Sequence, residues 1–272
     1  MKNFILWFLA FVITIAAAVY QRKTGPTYPK EIKAGVNGKE YALKLVRSLS
    51  LDENSEVKLA VEDSTAKATL FYKRFGTSDE YQQSEFEFFH ERGKAGFHAS
   101  VPPQPAAGKL QYYFTITDSQ GTKTYMMDEP VVIRYKGSVP AWVLIPHILI
   151  MFVAMLFSNL AGLMSLVKHP KYKIYGVWTL FLLIIGGMIL GPVVQLYAFG
   201  ELWTGIPFGW DLTDNKTLIA LLFWILAVYM NRKHDRPVYT AVAAFMLLLV
   251  YSIPHSLFGS QLDYSTGEVT QG

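Results

Sequence analysis

Residues 141–167 read AWVLIPHILIMFVAMLFSNLAGLMSLV, an apolar stretch without one charged side chain. A core helix of a water-soluble protein rarely needs more than about 14 unbroken apolar residues, whereas about 20 cross the roughly 30 Å hydrocarbon slab of a bilayer. Three further runs follow, Tyr175–Phe199, Thr217–Met230 with its flanks, and Val238–Phe258, and one precedes, Phe4–Tyr20. The pattern predicts a membrane α-helical bundle of four C-terminal spans plus an N-terminal anchor or signal peptide, with one soluble domain inserted after the first run. The expected division is an anchor or signal peptide over 1–23, an extracytoplasmic domain over 24–137 and a four-span transmembrane domain over 138–272.

Orientation follows from the short loops, because Lys and Arg there resist translocation. Lys168, Lys171 and Lys173 follow the second span, and Arg232, Lys233 and Arg236 follow the fourth. The stretch Glu201–Lys216 instead carries Glu201, Asp211 and Asp214 against Lys216, and the tail beyond Phe258 holds Asp263 and Glu268 without a Lys or Arg. The basic loops are expected in the cytoplasm, and the domain at 24–137 and the C-terminus outside, as in a protein of a bacterial inner membrane. Lys2 agrees; Arg22 and Lys23 do not, but they begin a long segment, where the rule weakens. Trp142, Trp203 and Trp210 fall at the predicted outer boundaries, as aromatic belts do. The opening run, with Lys2 before it and Ala16-Ala17-Ala18 near its end, also has the pattern of a signal peptide with a small-residue cleavage site. About 17 apolar residues suffice for a short anchor, so a retained anchor is expected.

Composition removes several chemistries. The chain has 272 residues and no cysteine, which excludes disulfides, zinc thiolate sites, iron–sulfur clusters, thiol catalysis and covalent c-type haem. The formal charge of +4 is dispersed through the outer domain and two loops, so it signals topology rather than nucleic-acid binding.

Residues 30–137 read as short strands separated by turn residues. In Leu110–Thr117, Leu110, Tyr112, Phe114 and Ile116 share one face, and Gln111, Tyr113, Thr115 and Thr117 the other. Val57, Leu59 and Val61 alternate in the same way. Tyr41–Arg47, Ala68–Arg74, Glu85–His90, Ala95–Ser100, Thr122–Met126 and Val131–Tyr135 are further strand candidates, with turns at Asn37-Gly38, Arg92-Gly93, Pro102–Gly108 and Asp118–Gly121. Seven or eight strands at this spacing predict an all-β antiparallel sandwich. The run Pro103–Phe114 followed by Asp118-Ser119-Gln120-Gly121 resembles the final hairpin of immunoglobulin-like or fibronectin type III-like modules. The resemblance covers residues 30–137 and implies an Ig-like fold without implying an activity. Of the aromatics Phe71, Tyr72, Phe75, Tyr81, Phe86, Phe88 and Phe89, most are expected in the core, and the set can alternatively supply a binding face. His90 and His98 are expected at strand edges.

The membrane half carries a repeated tripeptide. Ile145-Pro146-His147 opens the second span and Ile253-Pro254-His255 closes the last. At about 1.5 Å per residue, His147 lies roughly 10 Å and His255 roughly 5 Å inside the nominal outer boundaries. Two imidazoles at similar depth on different helices are the minimum for bis-His ligation of a b-type haem, and they can also serve a metal or relay protons to a quinone. Gln195 and Tyr251 are the nearby polar candidates for the same cofactor site, with Tyr197, Ser252 and Ser256 further options. Against this stands a structural reading, in which Pro146 marks a helix start, Pro254 bends a helix near its end, and the histidines sit in the interface. Gly186-Gly187 and Gly191-Pro192 either make room for a haem or pack helices closely. Asp211, Asp214 and Asp263 are hard oxygen ligands that can form an outer-face divalent-metal site; alternatively Thr213 or Asp214 caps the fourth span.

No nucleotide-binding loop, catalytic triad or broken-helix pair stands out, so enzymatic activity is not expected. The primary expectation is an envelope protein displaying an Ig-like module, an interaction or assembly subunit with the bilayer and other proteins as partners. Its rival is a b-type haem redox protein using His147 and His255, which requires the second and last spans to be neighbours.

Overall fold

The computed structural model describes residues 2–271 except 92, 255, 256 and 258, with no side chain described at residues 2 and 271. The chain forms two compact units: residues 1–26, 139–260 and 271–272 make a helical unit, and residues 27–138 with 261–270 make a β unit. The tail Gln261–Thr270, far away in sequence, joins the β unit.

The β unit contains β1 (Lys30–Val36), β2 (Lys39–Leu45), β3 (Ser48–Ser50), β4 (Glu56–Leu59), β5 (Lys67–Arg74), β6 (Gln82–Glu85), β7 (Glu87–Glu91), β8 (Lys94–Ser100), β9 (Lys109–Asp118), β10 (Gly121–Tyr125) and β11 (Val131–Lys136). These are more strands than the seven or eight expected. β1 is one addition; its residues Lys-Glu-Ile-Lys-Ala-Gly-Val dilute the alternation with small side chains. The run Glu85–His90 is another, since it divides at Phe86. There the chain leaves the edge of one sheet for another, and the buried Phe86 ring packs against Phe114. The Asn37-Gly38 turn of the β1–β2 hairpin has positive φ at both residues (47° and 79°), the conformation Asn-Gly favours in a two-residue hairpin.

β9 is the spine of a six-stranded sheet. It pairs antiparallel with β5 along one edge, Lys67↔Thr117 to Arg74↔Leu110, and with β11 and then β10 along the other. β6 extends the β5 side, and β3 adds to β11 in parallel. β4, β8 and β7 form a three-stranded antiparallel sheet in that order. The inward residues of β9, Leu110, Tyr112, Phe114 and Ile116, meet Leu43, Leu45, Leu59, Leu70, Ile133 and Tyr135 in one core fed by the six-stranded sheet, the three-stranded sheet and the β1–β2 hairpin. Each such side chain contributes about 1.5–3 kcal/mol by leaving water. The tail hairpin, β12 (Ser260–Leu262) and β13 (Val269–Gln271), meets this unit at its β9 end: the Leu262 N–H donates to Ala107 O, and the Tyr264 hydroxyl bonds both the N–H and the carbonyl of Lys109.

The helical unit contains α1 (Lys2–Thr24), α2 (Ala141–Leu166), a span built of α3 (Tyr172–Leu182), a π-helical segment (Leu183–Leu190) and α4 (Gly191–Phe199), then α5 (Leu212–Met230) and α6 (Pro237–Ser252). Among the described residues four helices are long and apolar enough to cross a membrane: Asn3–Thr24, Ala141–Leu166, Tyr172–Phe199 and Leu212–Met230. The fifth expected run, Val238–Phe258, is shorter than expected; its helix holds 16 residues and stops at Ser252. Pro254 explains the stop, because the residue before a proline is pushed out of helical geometry and Ile253 is extended (ψ 121°). α2 begins at Ala141 and carries Pro146 inside it, so the alternative start at Ile145 is not used.

The helices meet through small residues. A Cβ on Gly162 of α2 would lie 2.6 Å from the Cβ of Ala244 on α6, and the Tyr251 hydroxyl of α6 lies 3.6 Å from the Met151 sulfur of α2. The second and last spans are therefore neighbours, as the haem reading requires. α1 joins the same bundle through a buried polar contact, Asn159 Nδ2 donating to Thr14 Oγ1 at 3.0 Å.

Candidate functional site

The candidate residues of the helical unit gather at the end where α2 and α5 begin, here called the acidic end. His147 sits in the second turn of α2. Its Nδ1 donates to the carbonyl of Gly186 in the π segment at 3.0 Å, an oxygen that also accepts the Gly191 N–H. Among the described residues its Nε2 has no partner. The π segment falls where Gly186, Gly187 and Pro192 occur together, since Pro192 has no N–H to continue the α ladder. The glycines are consumed by packing. A Cβ on Gly186 would meet Ile150 and the Met151 sulfur at 2.8 Å, and one on Gly187 would meet Thr217 at 2.7 Å. Of the two sequence readings of these glycines, room for a ligand or close helix contact, the geometry is that of close contact.

His255 lies outside the described residues, so the separation of the two imidazoles does too. The remaining candidates do structural work. Gln195 donates to the Thr204 hydroxyl at 2.7 Å, tying α4 to the loop that follows it. Asp211, rather than Thr213 or Asp214, is the N-cap of α5; its carboxylate accepts the N–H groups of Thr213 (2.8 Å) and Asp214 (3.3 Å) and the Ser260 hydroxyl (3.2 Å). An Asp at this position satisfies helix donors that would otherwise be orphaned. Asp214, also buried, accepts the Thr204 N–H at 2.7 Å, and Asn215 accepts the Ile206 N–H at 2.8 Å. The loop 200–211 is thereby folded onto the first turn of α5, with Phe208 and Trp210 left largely exposed at its tip.

Two residues not singled out from sequence complete this end. Lys216 is 4 % exposed and donates its ammonium to the carbonyls of Ile253 (2.8 Å) and Pro254 (3.3 Å), just past the end of α6. Gln21 of α1 donates to the Tyr251 carbonyl at 2.7 Å. Both serve carbonyls at a helix C-terminus, where a cation is favoured by the helix dipole and an unmade bond is costly in an apolar medium. The signal for Lys216 in the sequence is a cation set directly against the apolar run Thr217–Met230; Gln21 has no such signal.

Asp263 belongs to the β unit, in the tail hairpin. It accepts the Ser265 N–H (2.8 Å) and hydroxyl (2.6 Å), and these bonds hold its carboxyl below the usual carboxylate range. Among the described residues no group of three or more His, Cys, Asp or Glu is placed to hold a metal ion.

A second candidate lies on the outward face of the six-stranded sheet. Phe71 on β5 stands directly opposite Tyr113 on β9, their rings stacked at 4.8 Å and 6°. Tyr81 packs edge-on to Tyr113 at 4.9 Å, the Lys73 ammonium lies 5.1 Å over the Tyr81 ring, and the Gln111 amide donates to the Tyr81 hydroxyl. Of the seven aromatics weighed from sequence, Phe86 is in the core and Tyr72 packs against it. Phe71 and Tyr81 are half-buried on the outside, and Phe88 is exposed. His90 is exposed and His98 half-buried, on β7 and β8. At the β11 end of this face, Lys109 donates to Gln261 of the tail at 2.7 Å; burial, with Arg134 adding to it, lowers its pKa to about 8.

No protein-family model and no curated protein matches the chain.

Proposed function

We propose that this chain is an integral envelope protein that displays its β unit as an Ig-like recognition module, and that it works as an interaction or assembly subunit rather than as an enzyme. The observation that carries the reading is the Phe71–Tyr113–Tyr81 cluster with Lys73 and Gln111, on a sheet face that lies away from the core. Tyr and Phe are among the side chains enriched at protein interfaces. The Ig-like assignment is supported by strand order: β4-β8-β7 matches strands B, E and D of such modules, and β6-β5-β9 continued by β10 and β11 matches C′, C, F and G. At the acidic end, the polar groups are spent on caps and loop closure, which favours a structural rather than a catalytic role for them.

The orientation proposed from loop charge places the basic loops in the cytoplasm and the β unit outside, as in a bacterial inner membrane. One part of it, the β unit and the tail on the same side, is supported by the tail: the chain leaves the β unit at Ser138 and re-enters it at Gln261. An even number of crossings, with α6 as the fourth, returns it to the same side. The contacts of Thr14 and Gln21 support α1 as a permanent member of the bundle.

A photocrosslinking amino acid at position 81 of the full chain, in native membranes, tests the module reading. The expected result is a discrete adduct that is lost with Tyr113→Ala and absent with the crosslinker at Lys44. Equal labelling at 81 and 44 counts against it. Alkaline phosphatase fused after Arg236 should be inactive; activity there overturns the orientation.

A second reading, b-type haem on His147, has one observation in its favour. With Nδ1–H committed to Gly186 O, the ring presents Nε2, the arrangement in which ligating histidines are usually held. The filled spaces at Gly186 and Gly187 favour the first reading. A reduced-minus-oxidised spectrum of purified protein separates the two: a haem band abolished by His147→Ala would replace the module reading as the primary one.

A further inference from the structure

At the opposite end of the helical unit, a cleft of about 470 Å³ opens between α3 and α5. One wall is Lys173, Gly176, Val177 and Leu180; the other is Ile225, Val228, Tyr229 and Arg232. Each wall follows the spacing i, i+3, i+4, i+7: the first is one stripe of α3 about 10 Å long at 1.5 Å per residue, and in the second Ile225, Val228 and Tyr229 lie on α5 with Arg232 in the turn just past its end. α3 starts at this end and α5 finishes here, so both stripes place their cation at the mouth and their apolar residues below it. Val177 and Ile225 are about half exposed, on helices apolar enough to lie in a bilayer. Gly176 keeps the floor open, since a Cβ there would lie 3.1 Å from the Trp224 ring.

The mouth is positive beyond these two residues. Residues 168–173 and 231–236 hold Lys168, Lys171, Lys173, Arg232, Lys233 and Arg236 against the single carboxylate of Asp235. Asp235 is engaged with Lys173 at 2.5 Å, and among the described residues Arg232 makes no ion pair. Asn231, at the rim, is already committed: it bonds the Tyr172 hydroxyl, the Arg236 N–H, the Ala227 carbonyl and the Thr240 hydroxyl. It fixes the starts of α3 and α6 against the end of α5, so the cations stand on a rigid frame.

We propose that this cleft is a binding site for an anionic phospholipid, its phosphate held by Arg232 and Lys173 and an acyl chain lying along Gly176, Val177 and Leu180. The pairing follows from charge complementarity, a cationic mouth above an apolar slot open to the bilayer. A zwitterionic lipid fills the slot equally well but carries a cation of its own into the basic mouth. The proposal rests on the membrane placement of the helical unit, and on neither the orientation nor the role of the β unit.

The test is native mass spectrometry of the full chain released from mild detergent, titrated with phosphatidylglycerol or phosphatidylcholine of identical acyl chains. The expected result is one tightly retained phosphatidylglycerol, favoured about tenfold over phosphatidylcholine. Arg232→Gln with Lys173→Gln should bring the two lipids to parity. Val177→Trp, at an exposed position that leaves the helix core untouched, should fill the slot and remove the adduct with all charges in place. Lys171→Gln with Lys233→Gln, which lie outside the cleft, should preserve the preference within twofold. Equal retention of both lipids by the unaltered protein overturns the proposal. So does a preference that survives loss of Arg232 and Lys173, or one lost equally with Lys171 and Lys233, which would make it a general surface effect. A failed crosslinking or fusion experiment on the β unit leaves these outcomes unaffected.

Discussion

In the β unit the fully buried side chains are large, Leu43, Leu59, Leu70, Tyr112, Phe114, Ile133 and Tyr135 among them, whereas in the main buried cluster of the helical unit six of the eleven described positions are alanines, Ala154, Ala161, Ala220, Ala227, Ala243 and Ala244, packed around Trp224. The contrast agrees with the membrane placement proposed for the helical unit. A domain in water gains by removing apolar area, so large side chains go inside. Helices in lipid gain nothing by hiding a leucine from hydrocarbon; close backbone approach and internal hydrogen bonds hold them instead. The helical unit accordingly turns its large residues, such as Phe4, Trp178, Phe181 and Phe245, outward.

Substitutions that exchange the two logics should give the clearest effects. The largest is expected for Phe114→Ala, which leaves a cavity between Phe86 and Tyr125 and should destabilise the β unit by about 3–5 kcal/mol. Proteolytic sensitivity should rise in residues 27–138, with the helical fragment still intact. In the helical unit the sensitive change is an added methyl. Gly162→Ala improves helix propensity by about 1 kcal/mol, yet its Cβ would collide with Ala244, so a net loss of about 1–3 kcal/mol is expected. Ala244→Gly in the same chain should restore much of it, and a thermal melt in detergent that shows no such rescue breaks the small-residue account.

Lys216→Met removes the donor from the Ile253 and Pro254 carbonyls and is expected to cost about 1–3 kcal/mol. It should raise hydrogen exchange at the end of α6 before elsewhere. Asp211→Ala removes the α5 cap and should cost about 1 kcal/mol, with Asp211→Asn close to the parent protein in the same melt.

The smallest effect is a pH dependence at the tail. The Lys109 pKa is lowered from 10.5 to about 8 by burial, then by Arg134. The folded state therefore carries fewer protons than the unfolded one between those values, and stability rises with pH across that window. Below about pH 8 the buried ammonium opposes docking. The protection factor of the Leu262 amide, bonded to Ala107, should increase from pH 8 towards 10, and Lys109→Met should flatten the profile. A decrease with pH in the unaltered protein would reverse the assignment of burial as the cause.

The apolar runs, the basic loops and the strand alternation were readable in the sequence because each is local. Hydropathy over 20 residues, charge between spans, and period-two burial in Leu110–Thr117 need no knowledge of partners. The strand split at Phe86 was not readable, since Glu85–His90 is continuous in pattern and divides only because two sheets compete for it. The same holds for the candidate site. Asp211 and Asp214 were visible as acidic residues beside a span, but the commitment of Asp214 to the loop 200–211 depends on Thr204 lying within reach, and one bond of Asp211 depends on the distant Ser260. Sequence alone therefore determined the helices, the charge at their ends and the β character of the inserted domain. Tertiary structure decided that the glycines close contacts, that Lys216 and Gln21 complete α6, and that the tail belongs to the β unit. These are relations between residues distant along the chain, and no local pattern encodes which of many polar groups will meet.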